Sequence, residues 1–191
     1  MLYVNQLEYR DIPYQHNMAH GGAPEDRRNV ATSGCGLCSA CMIVDGLTDK
    51  KLGLEECVRL SEQSGANLEL GTSMSVLGPV IAEKFGLEYS NTQSLEEAIE
   101  HLRCGGRIIC NVGHPEGKPG LFTMRGHFIV LISTDGKDFC ILDPSYKEGK
   151  FDIPERKGKV NDENAPFLYC DVNTLHAETE NRRYHLFSRK K

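Results

Sequence analysis

The chain predicts an α+β fold, with helices first and strands second. Up to Gly106, apolar positions recur at helical spacing between glycine stops. After Gly106 the pattern changes to short runs rich in Ile, Val and Phe, bounded by Gly, Asp and Pro. Segregation of this kind departs from the alternation that builds a doubly wound sheet. At 191 residues the chain suits one domain spanning 1–191. It divides into an irregular N-terminal segment (1–34), a helical part (35–105) and a sheet part (106–187).

The elements follow in order. Pro13, Pro24, Gly21-Gly22 and polar clusters deny residues 1–34 a long helix. From Cys35 to Gly46, the apolar set Leu37, Cys38, Cys41, Met42 and Val44 describes a largely buried helix. Leu54, Cys57, Val58 and Leu60 have helical spacing, closed by Gly65. A third helix spans Met74–Phe85, with Pro79 as a kink and Gly86 as its stop. Ser94 and Glu97 form a capping box for a fourth, Leu95–Arg103, ended by Gly105-Gly106. Strands are expected at Arg107–Val112, His127–Ser133 and Phe139–Leu142, the last two joined by the turn Thr134-Asp135-Gly136-Lys137. A polar loop over 154–166 precedes strands at Phe167–Asp171 and Arg182–Phe187.

Net charge is −5, so nothing global points to nucleic acid. No apolar run reaches membrane-spanning length and the N-terminus lacks a charged-then-apolar signal pattern, so a cytoplasmic protein without membrane contact is expected. Eight cysteines are too few for a disulfide framework in a chain of this length. Cys57, Cys104, Cys110, Cys140 and Cys170 fall within or beside apolar stretches, and most read as reduced core thiols.

Ser33-Gly34-Cys35-Gly36-Leu37-Cys38 carries the chemistry. Cys35 follows a small-residue turn at a helix start, where unpaired N–H groups and the positive end of the dipole favour thiolate. A thiolate nucleophile needs an imidazole to take and return a proton. Among seven histidines, His16, His20, His101, His114, His176 and His185 lie in loops, on a solvated helix face or in polar C-terminal surroundings. His127 instead opens the most apolar strand, directly after Gly126. Asp143 ends the neighbouring strand, and pairing about Asp135-Gly136 is expected to set it near the level of His127 with both on similar faces, where a carboxylate orients an imidazole.

Gly34-Cys35-Gly36 before a small-residue helix, then Gly126-His127-Phe128-Ile129-Val130-Leu131, then Leu142-Asp143-Pro144, resembles the papain-like cysteine peptidases. Within them the chain is most similar to the bacteriocin-leader-processing (C39-like) branch and its stand-alone relatives, over roughly Ile12 to Ser145. The resemblance implies a helical part carrying Cys35 packed on an antiparallel sheet carrying His127 and Asp143. It also implies an N-terminal glutamine whose amide joins the Cys35 N–H in an oxyanion hole, where one donor is worth roughly 3–4 kcal/mol. Ile12-Pro13-Tyr14-Gln15-His16-Asn17 offers Gln15, slightly early, or the shorter Asn17; Gln15 is favoured.

The expected function is therefore a cysteine peptidase or amide hydrolase with a Cys35–His127–Asp143 triad, a peptide or protein substrate, and no cofactor or metal. A peptide-binding module on the same fold with little turnover is the alternative. Cys35-Gly36-Leu37-Cys38 also reads as a C-x-x-C thiol–disulfide site, but no βαβ unit surrounds it. Metal binding by Cys35, Cys38 and Cys41 is disfavoured because steps of three on a helix turn these thiols mostly inward.

Overall fold

The computed structural model describes residues 2–14, 28–68, 71–114, 119–180 and 182–190. Gln15, His16, Asn17 and His20 lie outside these described residues. A 3-10 turn forms at Gln6–Glu8, and a one-turn helix α1 at Val30–Ser33 is capped by Asn29, whose side chain accepts from the Thr32 N–H.

Helix α2 (Cys35–Leu47) follows at once and is buried over most of its length, from Gly36 to Val44 and at Leu47. A helix that is apolar on all sides must sit inside the molecule. Around it stand α3 (Leu54–Gln63), a two-stranded ribbon of β1 (Asn67–Leu68) and β2 (Gly71–Thr72), and α4 (Met74–Phe85). Pro79 lies inside α4, and Gly86 ends that helix in the left-handed conformation at φ 72°. Strand β3 (Leu87–Thr92), which alternation in Leu-Glu-Tyr-Ser-Asn-Thr barely signals, precedes α5 (Leu95–Arg103). The Ser94 hydroxyl caps α5 by accepting from the Glu97 N–H, as the capping box predicts.

The C-terminal part supplies β4 (Arg107–Val112), β5 (His127–Thr134), β6 (Asp138–Leu142), β7 (Val160–Asn161), β8 (Leu168–Asp171), α6 (Val172–Ala177) and β9 (Tyr184–Arg189). Helix α6 was not foreseen; the Asp171 carboxylate starts it by accepting from the Asn173 and Thr174 N–H groups. One antiparallel sheet runs in the order β3-β9-β4-β5-β6-β8-β7. The last strand is displaced toward the C-terminus from the expected Arg182–Phe187, because it pairs with β4 on one side and β3 on the other, as far as Leu87 opposite Arg189.

Two apolar clusters flank this sheet. Phe128, Val130, Ile132, Cys140 and Leu142 pack with α2, α3 and α4. Ile129, Leu131, Phe139 and Ile141 pack instead with α5, α6 and the chain around Leu121 and Phe122. Period-2 alternation within β5 and β6 thus serves both layers. Cys57, Cys110, Cys140 and Cys170 are core thiols, whereas Cys104 is exposed with its Sγ 3.3 Å from Glu100 Oε1. His185 corrects the expectation of polar surroundings: only 3% exposed, its Nδ1 lies 2.8 Å from the Tyr89 hydroxyl. His101 is likewise part-buried, with Nε2 2.9 Å from the Phe187 carbonyl.

Candidate functional site

Both glycines around Cys35 have a steric reason. A methyl group on Gly34 would stand 2.6 Å from the Val30 carbonyl oxygen, and one on Gly36 would meet Thr72 Cβ at 3.0 Å and Phe128 Cδ2 at 3.3 Å. Close approach at Gly34 packs the start of α2 against α1, and at Gly36 against Phe128 at the start of β5. We expect Gly34→Ala to cost about 2 kcal/mol in urea unfolding, by overpacking against backbone that cannot move aside. Gly36→Ala should cost less stability while displacing Phe128, whose N–H faces the Cys35 sulfur.

Cys35 is half-buried at the first turn of α2, while Cys38 and Cys41 lie in the core. No side chain caps this helix, and the Cys35 N–H has no acceptor among the described residues. It is therefore free to donate to a bound oxygen. Burial pushes the Cys35 thiol up, but the His127 hydrogen bond and charge, with the Phe128 and Gly36 N–H groups, bring it below its ordinary value. Cys38 shows the opposite balance: burial pushes its thiol well up, reinforced by Cys41 and Cys35. Of the C-x-x-C pair, only Cys35 is thus favoured as a thiolate.

The first residue of β5, His127, is 7% exposed, with Nε2 2.8 Å from Asp143 Oδ1. Since Nε2 serves the carboxylate, the Cys35 hydrogen bond falls to Nδ1. Burial alone would lower the imidazole, yet the Asp143 charge and hydrogen bond, followed by Cys35, raise it to about 9. Desolvation would raise the fully buried Asp143, but His127 and Lys150 hold it far below the ordinary carboxylate range. The shifts of all three groups favour the charged forms of Cys35, His127 and Asp143 over the neutral ones.

The register that joins His127 to Asp143 differs from the expected one. The loop after Thr134 is longer than a two-residue turn: Thr134 pairs with Phe139, and a bulge between Leu131 and Ser133 places Val130 opposite Leu142. The Asp135 carboxylate closes that loop on the Lys137 and Asp138 N–H groups. Continued by alternation, the observed register puts His127 and Asp143 on the same face; pairing about Asp135-Gly136 alone would have set them on opposite faces.

Two further residues hold the carboxylate and two hold the backbone of its turn, and none was expected. Lys150, 8% exposed, donates from Nζ to Asp143 Oδ2 and to Ser145 Oγ at 2.8 Å. The Ser145 N–H donates to Asp143 Oδ1 at 2.8 Å, while its hydroxyl lies 3.1 Å from both that oxygen and His127 Nε2. The Tyr3 hydroxyl donates to the Asp143 carbonyl at 2.7 Å, and the Gln6 N–H to the Pro144 carbonyl at 2.7 Å. The N-terminal strap thereby pins the turn that presents Asp143. Loss of hydration pulls the Lys150 ammonium below its ordinary range, and Asp143 only partly restores it. Gln6, which sequence reasoning did not single out, is buried, and one N–H of its side-chain amide donates to the Ala31 carbonyl at 2.9 Å. Gln15 and Asn17 lie outside the described residues.

One signal hints at this network in sequence: Asp-Pro-Ser is a turn in which the serine N–H and hydroxyl return to the aspartate. Lys150 gives none. Within Lys147-Glu148-Gly149-Lys150 it reads as one more solvated charge. Among the described residues no group of His, Cys, Asp and Glu is placed to hold a metal ion, and no helix is long and apolar enough to cross a membrane.

Comparison with solved structures finds this architecture in peptidase domains. The peptidase domain of Streptococcus ComA, a bifunctional ABC transporter involved in a quorum-sensing pathway, matches with a TM-score of 0.55 at 13% identity, covering 83% of this chain and 93% of that one. A C39-like peptidase from Bacillus anthracis matches with a TM-score of 0.56 at 11% identity, covering 95% and 96%. No protein-family model and no curated protein sequence matches the chain. Identities this low speak to fold alone. On that evidence, the chain has the papain-like fold of the C39 peptidase domains, with a helical part that carries Cys35 packed on an antiparallel sheet that carries His127 and Asp143.

Proposed function

We propose that the chain is a cysteine peptidase or amide hydrolase acting on a peptide substrate through Cys35, His127 and Asp143. The observation that carries this reading is the charge arrangement at Cys35: a half-exposed thiol below its ordinary value beside an imidazole raised to about 9. A structural cysteine needs no such neighbours. Cys35 Sγ attacks the carbonyl carbon, and charge develops on the carbonyl oxygen beside the free Cys35 N–H. His127 then gives its Nδ1 proton to the departing nitrogen as the C–N bond breaks, leaving a thioester. Water, deprotonated by the same nitrogen, hydrolyses that thioester and restores the thiolate. Asp143 holds the ring in the tautomer and orientation that both steps require. Gln15, or Asn17, is the proposed second oxyanion donor.

A pH profile of kcat/KM on a mixture of internally quenched peptides tests the reading. The acid limb should fall below the ordinary thiol range, because lowering the pH protonates the Cys35 thiolate. The alkaline limb should fall near pH 9, where His127 loses the proton that the leaving nitrogen needs. These limbs belong to the coupled pair. A protein that binds peptides without turnover would still alkylate at Cys35 but release no product, and that outcome would favour the peptide-binding module.

A further inference from the structure

A cavity of about 420 Å³ is lined by Lys150 and by Ser145, whose hydroxyl lies 3.1 Å from His127 Nε2. Four cations line it (Arg10, Lys147, Lys150 and Arg156) and no carboxylate does. Lys150 is matched to Asp143, but Arg10, Lys147 and Arg156 form no ion pair among the described residues. Arg156 is the informative member. Only 8% exposed, it donates from Nε to the Gly120 carbonyl at 3.0 Å and from Nη1 to the Lys150 carbonyl at 3.2 Å. These bonds fix the guanidinium plane at the wall of the cavity. The other nearby carboxylate, Glu178, is bonded to the Leu121 N–H and reaches Arg156 only through space.

A buried guanidinium held by neutral carbonyls loses hydration without a countercharge, and an incoming anion with planar oxygens restores the balance. Phe122 is buried beneath the opening and Met124, 60% exposed, stands at its edge, which suits an anion carried on an aliphatic stem. In the reaction proposed above, His127 protonates the leaving nitrogen, so the chain beyond the scissile bond runs past the imidazole toward Ser145. We infer that this cavity is a subsite for a carboxylate on the leaving-group side of the substrate, either an acidic side chain or the peptide's own C-terminus. The inference rests on the peptidase reading for the placement of the peptide, but not for the binding of the anion. The larger hollow, about 590 Å³ around Asp135, Asp138 and Asp171, lies far from this chemistry, and Asp135 and Asp171 there are spent on local N–H groups.

Binding to the Cys35→Ala protein separates the two claims. Fluorescent octapeptide mixtures that differ only in Glu or Gln at one position, each with a free or amidated C-terminus, are compared by anisotropy. Carboxylate-bearing mixtures should bind about tenfold tighter than their neutral counterparts, as expected for charge-assisted hydrogen bonds. The preference should shrink to about twofold in a protein that also carries Arg10→Gln and Lys147→Gln, exposed positions whose replacement leaves the core untouched, and in molar salt. Preference that survives amidation identifies an acidic side chain; preference confined to free C-termini identifies the terminal carboxylate. Equal binding of charged and neutral mixtures, or a preference indifferent to Arg10→Gln and Lys147→Gln, overturns the subsite even if the Cys35 protein cleaves peptides. Charge-dependent binding by a protein that hydrolyses nothing would sustain the subsite and sink the peptidase.

Discussion

Replacing Cys35 with alanine abolishes covalent labelling by a thiol-directed electrophile at neutral pH and lowers peptide hydrolysis by about 10⁴-fold or more. Among eight cysteines, only Cys35 combines access with a thiol brought down by a neighbouring histidine. Burial of the Cys38, Cys110 and Cys170 thiols pushes them up instead. Cys38→Ala and Cys41→Ala should therefore label as fast as the parent. Each should lose about 1–2 kcal/mol of stability, because each leaves a small void in the core around α2. Cys35→Ala should unfold within about 1 kcal/mol of the parent, since its side chain is half-buried and fills no closed space. Mass spectrometry of labelled peptides and urea denaturation provide the two readouts. Undiminished labelling of the Cys35→Ala protein would remove the nucleophile from the scheme.

The second large effect concerns Lys150. Lys150→Met breaks a buried pair and leaves the Asp143 charge with His127 as its remaining counterweight, which should cost about 3–5 kcal/mol in denaturant unfolding. The surviving folded protein should hydrolyse peptides on the order of 10- to 100-fold more slowly, as expected when a carboxylate that aims an imidazole loses its own anchor. Destabilisation alone would lower the rate equally at every pH. A positioning role predicts more. Without the ammonium, the Asp143 charge acts undivided on His127 and holds its proton more firmly, so the alkaline limb of kcat/KM moves upward from its parental position near pH 9. Lys150→Arg retains the charge and should recover much of the stability. An unmoved alkaline limb in folded Lys150→Met would reduce Lys150 to a purely structural pair.

The three proposed site residues were legible because each announces itself in a local pattern. Cys35 stands between two glycines at the start of an apolar helix, and the close approaches at Gly34 and Gly36 explain both glycines. His127 is the histidine that opens a wholly apolar strand, while Asp143 precedes the turn proline after the next one. Their mutual placement was less legible. It depends on a β-bulge near Ile132, and an extra strand residue leaves no mark in hydrophobic alternation when both faces of the sheet are buried. Strand β3 was missed for a related reason: its pairing with β9 supplies what its mostly polar sequence lacks.

What surrounds the triad was not legible at all. Lys150 and Ser145 follow Asp143 in a stretch that reads as solvated, and Tyr3 lies 140 positions from the carbonyl it binds. No local pattern ties such residues together, because their roles arise only when the N-terminal strap folds over the Asp143 turn. By itself the sequence determined that a cysteine at a helix start, a histidine at a strand start and an aspartate at a strand end belong to an α+β chain of papain-like type. Only the tertiary structure decided which neighbours shift their ionisation. Protonation follows from the hydration each group loses and from the charges within a few ångströms of it, and those quantities exist only once distant segments are packed together.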